Sequence, residues 1–172
     1  MRRATILLAL LIAAIALVAC GDDDEPASTQ DAQETTATQT ETEAADLTDT
    51  SAKPVIPAPS GSPPRKLVVE DIVKGKGRAA KQGDNVTLQY VGVAFSTGQQ
   101  FDASWDSGAP IGPFPLGAGA VIPGWDKGIV GMRVGGRRKL VIPPELAYGT
   151  QGQGPIGPNE TLIFVVDLTA IS

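Results

Sequence analysis

The chain has 172 residues, a net charge of −5, one cysteine and no histidine. The missing histidines exclude His-dependent triads, His general bases and His metal sites, and a single cysteine excludes an internal disulfide. No Walker-type phosphate-binding motif occurs either. If the chain is an enzyme, its reaction needs no nucleophile, metal or cofactor.

The first twenty residues are typical of an export signal. Arg2 and Arg3 precede an apolar run, 4–19, that is too short to span a bilayer comfortably. The run ends in Leu17-Val18-Ala19-Cys20, which resembles the lipobox of bacterial lipoproteins. The resemblance implies a signal peptide at 1–19, lipidation of Cys20, and an anchor on the exported side of the membrane in a bacterial cell envelope. The alternative is that Cys20 is one more small residue of a secretory signal.

Residues 21–64 are acidic, rich in Thr and almost without large apolar side chains. Ten carboxylates face one lysine, a net charge of −9. Such a segment has no apolar face whose burial could offset the entropy of ordering it. Its Pro-rich end, KPVIPAPSGSPP, should be stiffer and more extended. We therefore expect 20–64 to be a lipidated cysteine followed by a disordered linker that holds the next domain away from the membrane.

Residues 65–172 have the length of one domain with one core. They carry 11 basic and 9 acidic residues and no long basic patch, so no nucleic-acid partner is expected. Alternation and β-branched residues predict strands at 66–73, 86–95, 100–103, 137–142 and 161–171. Arg137, Arg138 and Lys139 open the fourth strand, where we interpret them as a solvated face and a guard against edge pairing.

Only 121–132 has helical spacing. Ile122, Trp125, Ile129 and Met132 share one face, yet three glycines make this a poor isolated helix, each costing about 0.8–1 kcal/mol relative to Ala. Tertiary packing must hold it. The pattern predicts an α+β domain in which one short helix packs on an antiparallel sheet. On spacing alone, Trp125 fits a core position.

Four segments of this domain resemble the FKBP-type peptidyl-prolyl cis-trans isomerases in order and spacing. They are QYVG at 89–92, FDASW at 101–105, FPLGAGAVIPGWDKGIVGMRVGGRRKLVIPPELAYG at 114–149, and TLIFVVDL at 161–168. The resemblance covers nearly all of the domain and neither the signal nor the linker. It implies a curved antiparallel sheet wrapped around one short helix.

The resemblance also implies an apolar pocket for a proline ring. Trp125 would form its floor, and its walls would be Tyr90, Phe101, Phe114 and Phe164. Without the resemblance, the pattern favours core positions for Phe101 and Phe164.

The remaining site residues implied by the resemblance lie around the rim. Val121 and Ile122 would border the pocket, and the Ile122 backbone N–H and the Tyr148 hydroxyl would donate hydrogen bonds to the ligand. Asp102 would orient a wall tyrosine, and Ile156 would flank the substrate from a mobile flap at 149–158.

The chain departs from the family pattern on one side of this pocket. Ser107 stands where bacterial relatives usually carry an arginine paired with the acid that matches Asp102. Ile111 stands where the family often has an aromatic residue, and the segment at Gly112-Pro113 is one residue longer than in the family pattern.

Two functions follow from the sequence. The first is a membrane-tethered isomerase that acts on X-Pro bonds of unfolded or partly folded exported proteins, without a cofactor, by non-covalent stabilisation of the twisted amide. The second is a holdase or Pro-peptide-binding module with little turnover. The resemblance implies macrolide ligands as well, which we expect to bind more weakly than peptides.

Overall fold

The computed structural model describes residues 46–172. The expected signal peptide, Cys20 and the linker as far as residue 45 lie outside the described residues. No helix within 46–172 has the length and apolar character needed to cross a membrane.

A curved, six-stranded antiparallel sheet forms the body of the domain, in the order β1-β5-β6-β2-β3 with β4 also paired to β2. The strands are β1 Val68–Val73, β2 Asn85–Ala94, β3 Gln100–Ala103, β4 Ile111–Pro115, β5 Arg137–Ile142 and β6 Leu162–Ile171. Two short α-helices, α1 Ser104–Ser107 and α2 Pro123–Gly128, and a 3₁₀ turn, Pro144–Leu146, complete it. The predicted α+β fold is confirmed.

Strand β4, helix α1 and the 3₁₀ turn were not predicted. Strand β4 contains two prolines and a glycine, which argue against a central strand, but prolines are tolerated at a sheet edge. Strand β4 shares one edge of β2 with β3, pairing with the first half of β2 while β3 pairs with the second. Helix α1 is a single turn that ends where Gly108 adopts a left-handed conformation, with a φ of 72°. Residues 46–172 therefore contain two short α-helices rather than one.

Helix α2 packs on the front face of the sheet and closes the main core. Trp125, Ile129 and Met132 are buried there with alternate residues of β2, β5 and β6. The helix is shorter than expected because it ends at Gly128, and Gly131 then turns with a φ of 82°. Its glycines have a packing role, since a Cβ on Gly124 would stand only 2.4 Å from Ile142 Cγ2.

Arg137 and Arg138 are buried, with exposed fractions of 0% and 7%, so the interpretation of a solvated face is wrong for both. Arg138 Nε donates to Asp71 at 2.6 Å, and its Nη1 donates to the carbonyls of Gly128 and Val130 at 2.7 and 3.1 Å. A cation at a helix C-terminus satisfies the unpaired carbonyls and the helix dipole. Arg138 therefore caps α2.

Residues 46–59, hereafter the strap, lie against the rear face of the sheet. Ile56 packs there against a second buried cluster that includes Val141 and Ile163. Arg137 donates to the backbone carbonyls of Leu47, Asp49 and Ala52 from β5. The structure thus differs from the disordered linker expected as far as residue 64, because a buried guanidinium and an apolar cluster hold the strap in place.

Candidate active site

A cavity of about 230 Å³ opens on the front face, where the start of α2 meets the sheet. Strands β2, β3, β4 and β6 supply one side of the cavity. The loop into α2, α2 itself and Tyr148, which follows the 3₁₀ turn, supply the other. Its lining consists of Tyr90, Phe101, Asp102, Ile111, Ala120, Val121, Ile122, Trp125, Tyr148 and Phe164.

Two aromatic rings pack edge to face on the indole of Trp125, and a third packs on one of them. The centroids of Tyr90 and Phe164 each lie 5.1 Å from it, with interplanar angles of 76° and 83°. Phe101 meets Phe164 edge to face at 5.5 Å. Such edge-to-face pairs hold aromatic rings in fixed orientations. The cavity therefore has a rigid apolar floor and walls.

Gly92 provides the space for two of these walls. It pairs with Phe164 across β2 and β6 and lies two residues beyond Tyr90 on the same face of β2. A Cβ at this position would stand 2.7 Å from both Phe101 Cζ and Phe164 Cε1. Any side chain here would displace the aromatic pair.

The polar groups of the cavity are few and held in place. The Tyr90 hydroxyl donates a hydrogen bond to Asp102, and the Tyr90 backbone N–H donates to Ser104 Oγ at 2.8 Å. Burial, reinforced by the hydrogen bond to Asp102, raises the pKa of Tyr90 above its usual range. Burial and the negative charge of Asp102 also raise the pKa of Tyr148. Both phenols therefore remain protonated donors at neutral pH.

Two donors at the cavity have no acceptor among residues 46–172. They are the Ile122 backbone N–H, at the residue before α2, and the indole N–H of Trp125, which is buried. An unpaired buried donor costs about 1–3 kcal/mol. A ligand carbonyl in the cavity could accept from the Ile122 N–H, whereas the Trp125 N–H is buried beneath the cavity surface.

The sequence model of the FKBP-type peptidyl-prolyl cis-trans isomerases matches residues 76–169, more than half of the chain. The chain belongs to this family. It is 56% identical over 121 residues to the FK506-binding protein of Streptomyces anulatus, covering 69% of this chain and 97% of that protein. It is 50% identical over 116 residues to the probable FK506-binding protein of Corynebacterium glutamicum, covering 67% and 96%. The crystal structure of AtFKBP13 superposes with a TM-score of 0.57 at 38% identity, covering 62% and 93%.

The chain is thus an FKBP-type isomerase, and its cavity brings together eight of the ten residues that the resemblance implied for the pocket. Phe114 and Ile156 are the two that do not line it. Phe114 is half-buried beside Trp125, with ring centroids 6.3 Å apart. Ile156 is buried in the main core, with 8% of its surface exposed.

The position of Phe114 follows from a bulge in β4. Val86 pairs with Phe114 and Leu88 pairs with Ile111, so β4 carries one residue more than β2 over this stretch. Ile111 therefore lines the cavity of the isomerase. The sequence signals for this shift were the extra residue at Gly112-Pro113 and the aliphatic side chain at Ile111.

The flap of this isomerase is internally hydrogen-bonded, which explains the burial of Ile156. Gln153 and Ile156 exchange two backbone hydrogen bonds of 2.9 Å, and Asn159 N–H donates to the Gly149 carbonyl at 2.8 Å. The loop turns Ile156 inward onto the core. Ile156 reaches the substrate only if the flap changes conformation.

Asp126 is a positioning residue that the sequence analysis missed. Its carboxylate oxygens accept hydrogen bonds from the backbone N–H groups of Gly117 and Gly119, at 2.8 and 2.9 Å. These glycines lead directly to Ala120 and Val121 on the cavity rim. The available sequence signal was an aspartate in the first turn of α2, because carboxylates near the start of a helix often accept hydrogen bonds from backbone N–H groups.

Proposed function

We propose that this isomerase accelerates rotation about X-Pro bonds of exported polypeptides by binding the twisted amide in the apolar cavity. Rotation of an amide breaks no covalent bond, and its barrier of about 18–20 kcal/mol arises from resonance. A nonpolar cavity disfavours the planar, charge-separated amide and favours the twisted one, which has lost resonance. The observation that carries the proposal is the aromatic cluster of the cavity, in which Tyr90 and Phe164 pack on the Trp125 indole and Phe101 packs on Phe164.

In this mechanism the proline ring lies on Trp125 and is held by aromatic contacts alone. The Ile122 N–H and the Tyr148 hydroxyl donate to carbonyl oxygens of the substrate chain on either side of the rotating bond. Holding the flanking chain while the amide carbonyl turns in the apolar cavity makes the twisted geometry the best-bound state. No proton is transferred, which agrees with phenols that remain protonated.

Asp102 has an orienting role in this proposal. Because it accepts a hydrogen bond from the Tyr90 hydroxyl, it fixes the ring of Tyr90 against Trp125 at 5.1 Å. Its negative charge borders the cavity, where it favours the positive end of the amide dipole of the substrate. Ser107, which replaces the arginine common in bacterial relatives, leaves this charge without that partner.

The substrate class and location rest on the N-terminal sequence. The basic start, the apolar run 4–19 and the single cysteine at Cys20 support export, cleavage and lipidation. We propose a lipid-anchored isomerase on the exported side of a bacterial membrane, with Pro-containing exported chains as substrates. Macrolides are proposed as further ligands because two relatives carry the name FK506-binding protein.

A peptide series tests the activity. Cis–trans exchange is measured on X-Pro peptides with varied X, together with binding of the same peptides by calorimetry. Acceleration that is lost in Tyr148→Phe and retained in the surface control Val130→Ala supports the proposal; Val130 is 40% exposed. Binding without acceleration would instead show a holdase and overturn the catalytic mechanism.

The location has its own test. Mass spectrometry of the protein from a bacterial membrane fraction should find acyl chains on Cys20 and no residues before it. The variant Cys20→Ser should be released to the soluble exported fraction. A Cys20→Ser protein that stays membrane-bound to the same extent contradicts lipid anchoring.

A further inference from the structure

The strap supplies the three carbonyls that complete the hydrogen bonding of Arg137. The guanidinium has five N–H donors. Two of them bind Asp167 at 2.6 and 2.8 Å, and the other three bind the carbonyls of Leu47, Asp49 and Ala52 at 3.2, 2.8 and 2.9 Å. Arg137 has no exposed surface. A buried arginine with every donor satisfied is a built recognition site, because leaving such donors unpaired is costly.

The strap is shaped to present those carbonyls. Asp46 accepts hydrogen bonds from the N–H and hydroxyl of Thr48, and Asp49 accepts the same pair from Ser51. These hydrogen bonds lower the pKa of both carboxyls, so the turns persist over the neutral range. Two successive turns of this kind direct backbone carbonyls to one side of the chain.

Beyond these turns, the strap has one apolar contact side. Ile56 packs on the rear cluster formed by Val141, Ile163 and their neighbours, whereas the adjacent Val55 is 65% exposed. The alternation defines which side of the strap faces the sheet. It also provides two neighbouring aliphatic residues that differ mainly in this contact.

The strap also contacts α1, which directly follows β3, the strand that forms one wall of the catalytic cavity. Lys53 Nζ lies 2.5 Å from Asp106 Oδ1 in α1, and Asp106 Oδ2 accepts from Gln100 Nε2 of β3 at 2.7 Å. Strand β3 carries Phe101 and Asp102 into the cavity and continues directly into α1. The strap therefore contacts the outer side of the element whose inner side faces substrate.

We propose that the strap belongs to the catalytic domain, that Arg137 recognises it, and that it steadies the β3–α1 wall for substrate binding. Releasing the strap lowers the fraction of molecules whose wall is in the binding-competent position. Apparent affinity falls with that fraction, while bound substrate still meets the same Trp125 floor. Release should therefore raise KM and leave kcat unchanged. This inference rests on the proposed isomerase function.

The test compares Ile56→Asp with Val55→Asp in the full chain. Both variants add the same charge at neighbouring positions of the strap, but only Ile56→Asp places it against the apolar cluster. Hydrogen–deuterium exchange should become at least about tenfold faster across 46–59 in Ile56→Asp, a loss of docking equivalent to ~1.4 kcal/mol, with β6 unchanged. KM should rise about threefold or more in Ile56→Asp, and Val55→Asp should match wild type in both measurements.

A second variant acts from the sheet side. Arg137→Lys keeps the charge but offers three donors in place of five, so it should release the strap and raise KM in the same way while unfolding stays cooperative. The proposal is overturned if wild-type residues 46–59 exchange at the rate of an unfolded chain, or if Ile56→Asp frees the strap with KM unchanged. A wild-type protein that fails to accelerate X-Pro exchange overturns the isomerase function instead, and the exchange data still report docking.

Discussion

Substitution to alanine should affect stability differently at Gly124 and Gly128, the two glycines of α2 that face the sheet. A Cβ on Gly124 would stand 2.4 Å from Ile142 Cγ2 and 2.7 Å from its Cδ1. A Cβ on Gly128 would stand 2.7 Å from Leu140 Cδ2 and 3.1 Å from its Cδ1. Both neighbours are fully buried, but they differ in how readily they can move.

The magnitudes follow from this difference. Alanine gains about 0.8–1 kcal/mol of helix propensity over glycine at either position. Overpacking a core costs about 1–3 kcal/mol, and the cost is high at Gly124 because the γ-carbon of a β-branched residue is held at χ1. At Gly128 the neighbour is the end of a flexible leucine, which can rotate. We expect Gly124→Ala to destabilise by about 1–2 kcal/mol and Gly128→Ala to stay within about 1 kcal/mol of wild type.

Urea unfolding followed by far-UV circular dichroism measures both variants, with equal m-values as the check that the same surface is exposed. Combining Gly124→Ala with Ile142→Ala should recover about 1 kcal/mol relative to the sum of the single changes, because the new methyl group fills the space that the isoleucine leaves. Because Gly124 precedes Trp125, KM should also rise in the single variant. A Gly124→Ala protein as stable as Gly128→Ala would refute the reasoning.

Four further outcomes are expected. Trp125→Ala should lower stability by about 3–5 kcal/mol and kcat/KM by about 100-fold, measured by urea unfolding and peptide isomerisation. Tyr90→Phe keeps the ring but loses the hydrogen bond to Asp102, so kcat/KM should fall about tenfold, equivalent to ~1.4 kcal/mol; an unchanged value would dismiss the orienting role. The tyrosinate absorbance of Tyr90 and Tyr148 should appear at higher pH in the folded chain than in urea, and because their folded pKa values are raised, stability should be complete below about pH 10 and fall above it. Arg138→Met removes the cap of α2 and should cost about 2–3 kcal/mol; a cost below about 0.5 kcal/mol would show that the cap is dispensable.

Alternation in the sequence identified the strands that carry the core. In β2, Val86, Leu88 and Tyr90 face the main core while Val91 faces the rear cluster, as the period of two requires. The last strand behaves in the same way, with Phe164 on the front face. A strand whose two faces are both buried still needs a partner on each side, and the sequence indicated only the front one, α2.

The packing role of the α2 glycines could not be predicted from helix propensity. They made the helix look marginal, and residue by residue that judgement is sound. Their reason is tertiary: they allow α2 to approach β5 closely enough for Trp125 to form the cavity floor. Close approach of backbone elements cannot be computed from spacing along one chain segment, because it depends on Ile142 and Leu140, which come later in the sequence.

The pocket required the resemblance as well as the pattern. Spacing alone left Phe101 and Phe164 as core residues, and both do pack against the main core while also lining the cavity. The bulge in β4 changed the one wall where this chain departs from the family, replacing Phe114 with Ile111. A one-residue insertion shifts every following side chain in a strand, so transfer by position is least secure at that point.

The burial of Arg137 could not be predicted from the local sequence. Side chains alternate between the two faces of a strand, so Arg137 and Lys139 lie on one face and Arg138 on the other. Local sequence gives no reason to expect that both arginines are buried. Burial of Arg137 becomes favourable only because Asp167 lies opposite it on β6 and because strap carbonyls arrive from 85 to 90 residues earlier in the chain. The same three carbonyls, together with the apolar contact of Ile56, explain why an acidic, proline-rich segment that cannot form a core of its own lies on the sheet. The KM of the isomerase reports whether that docking affects the cavity.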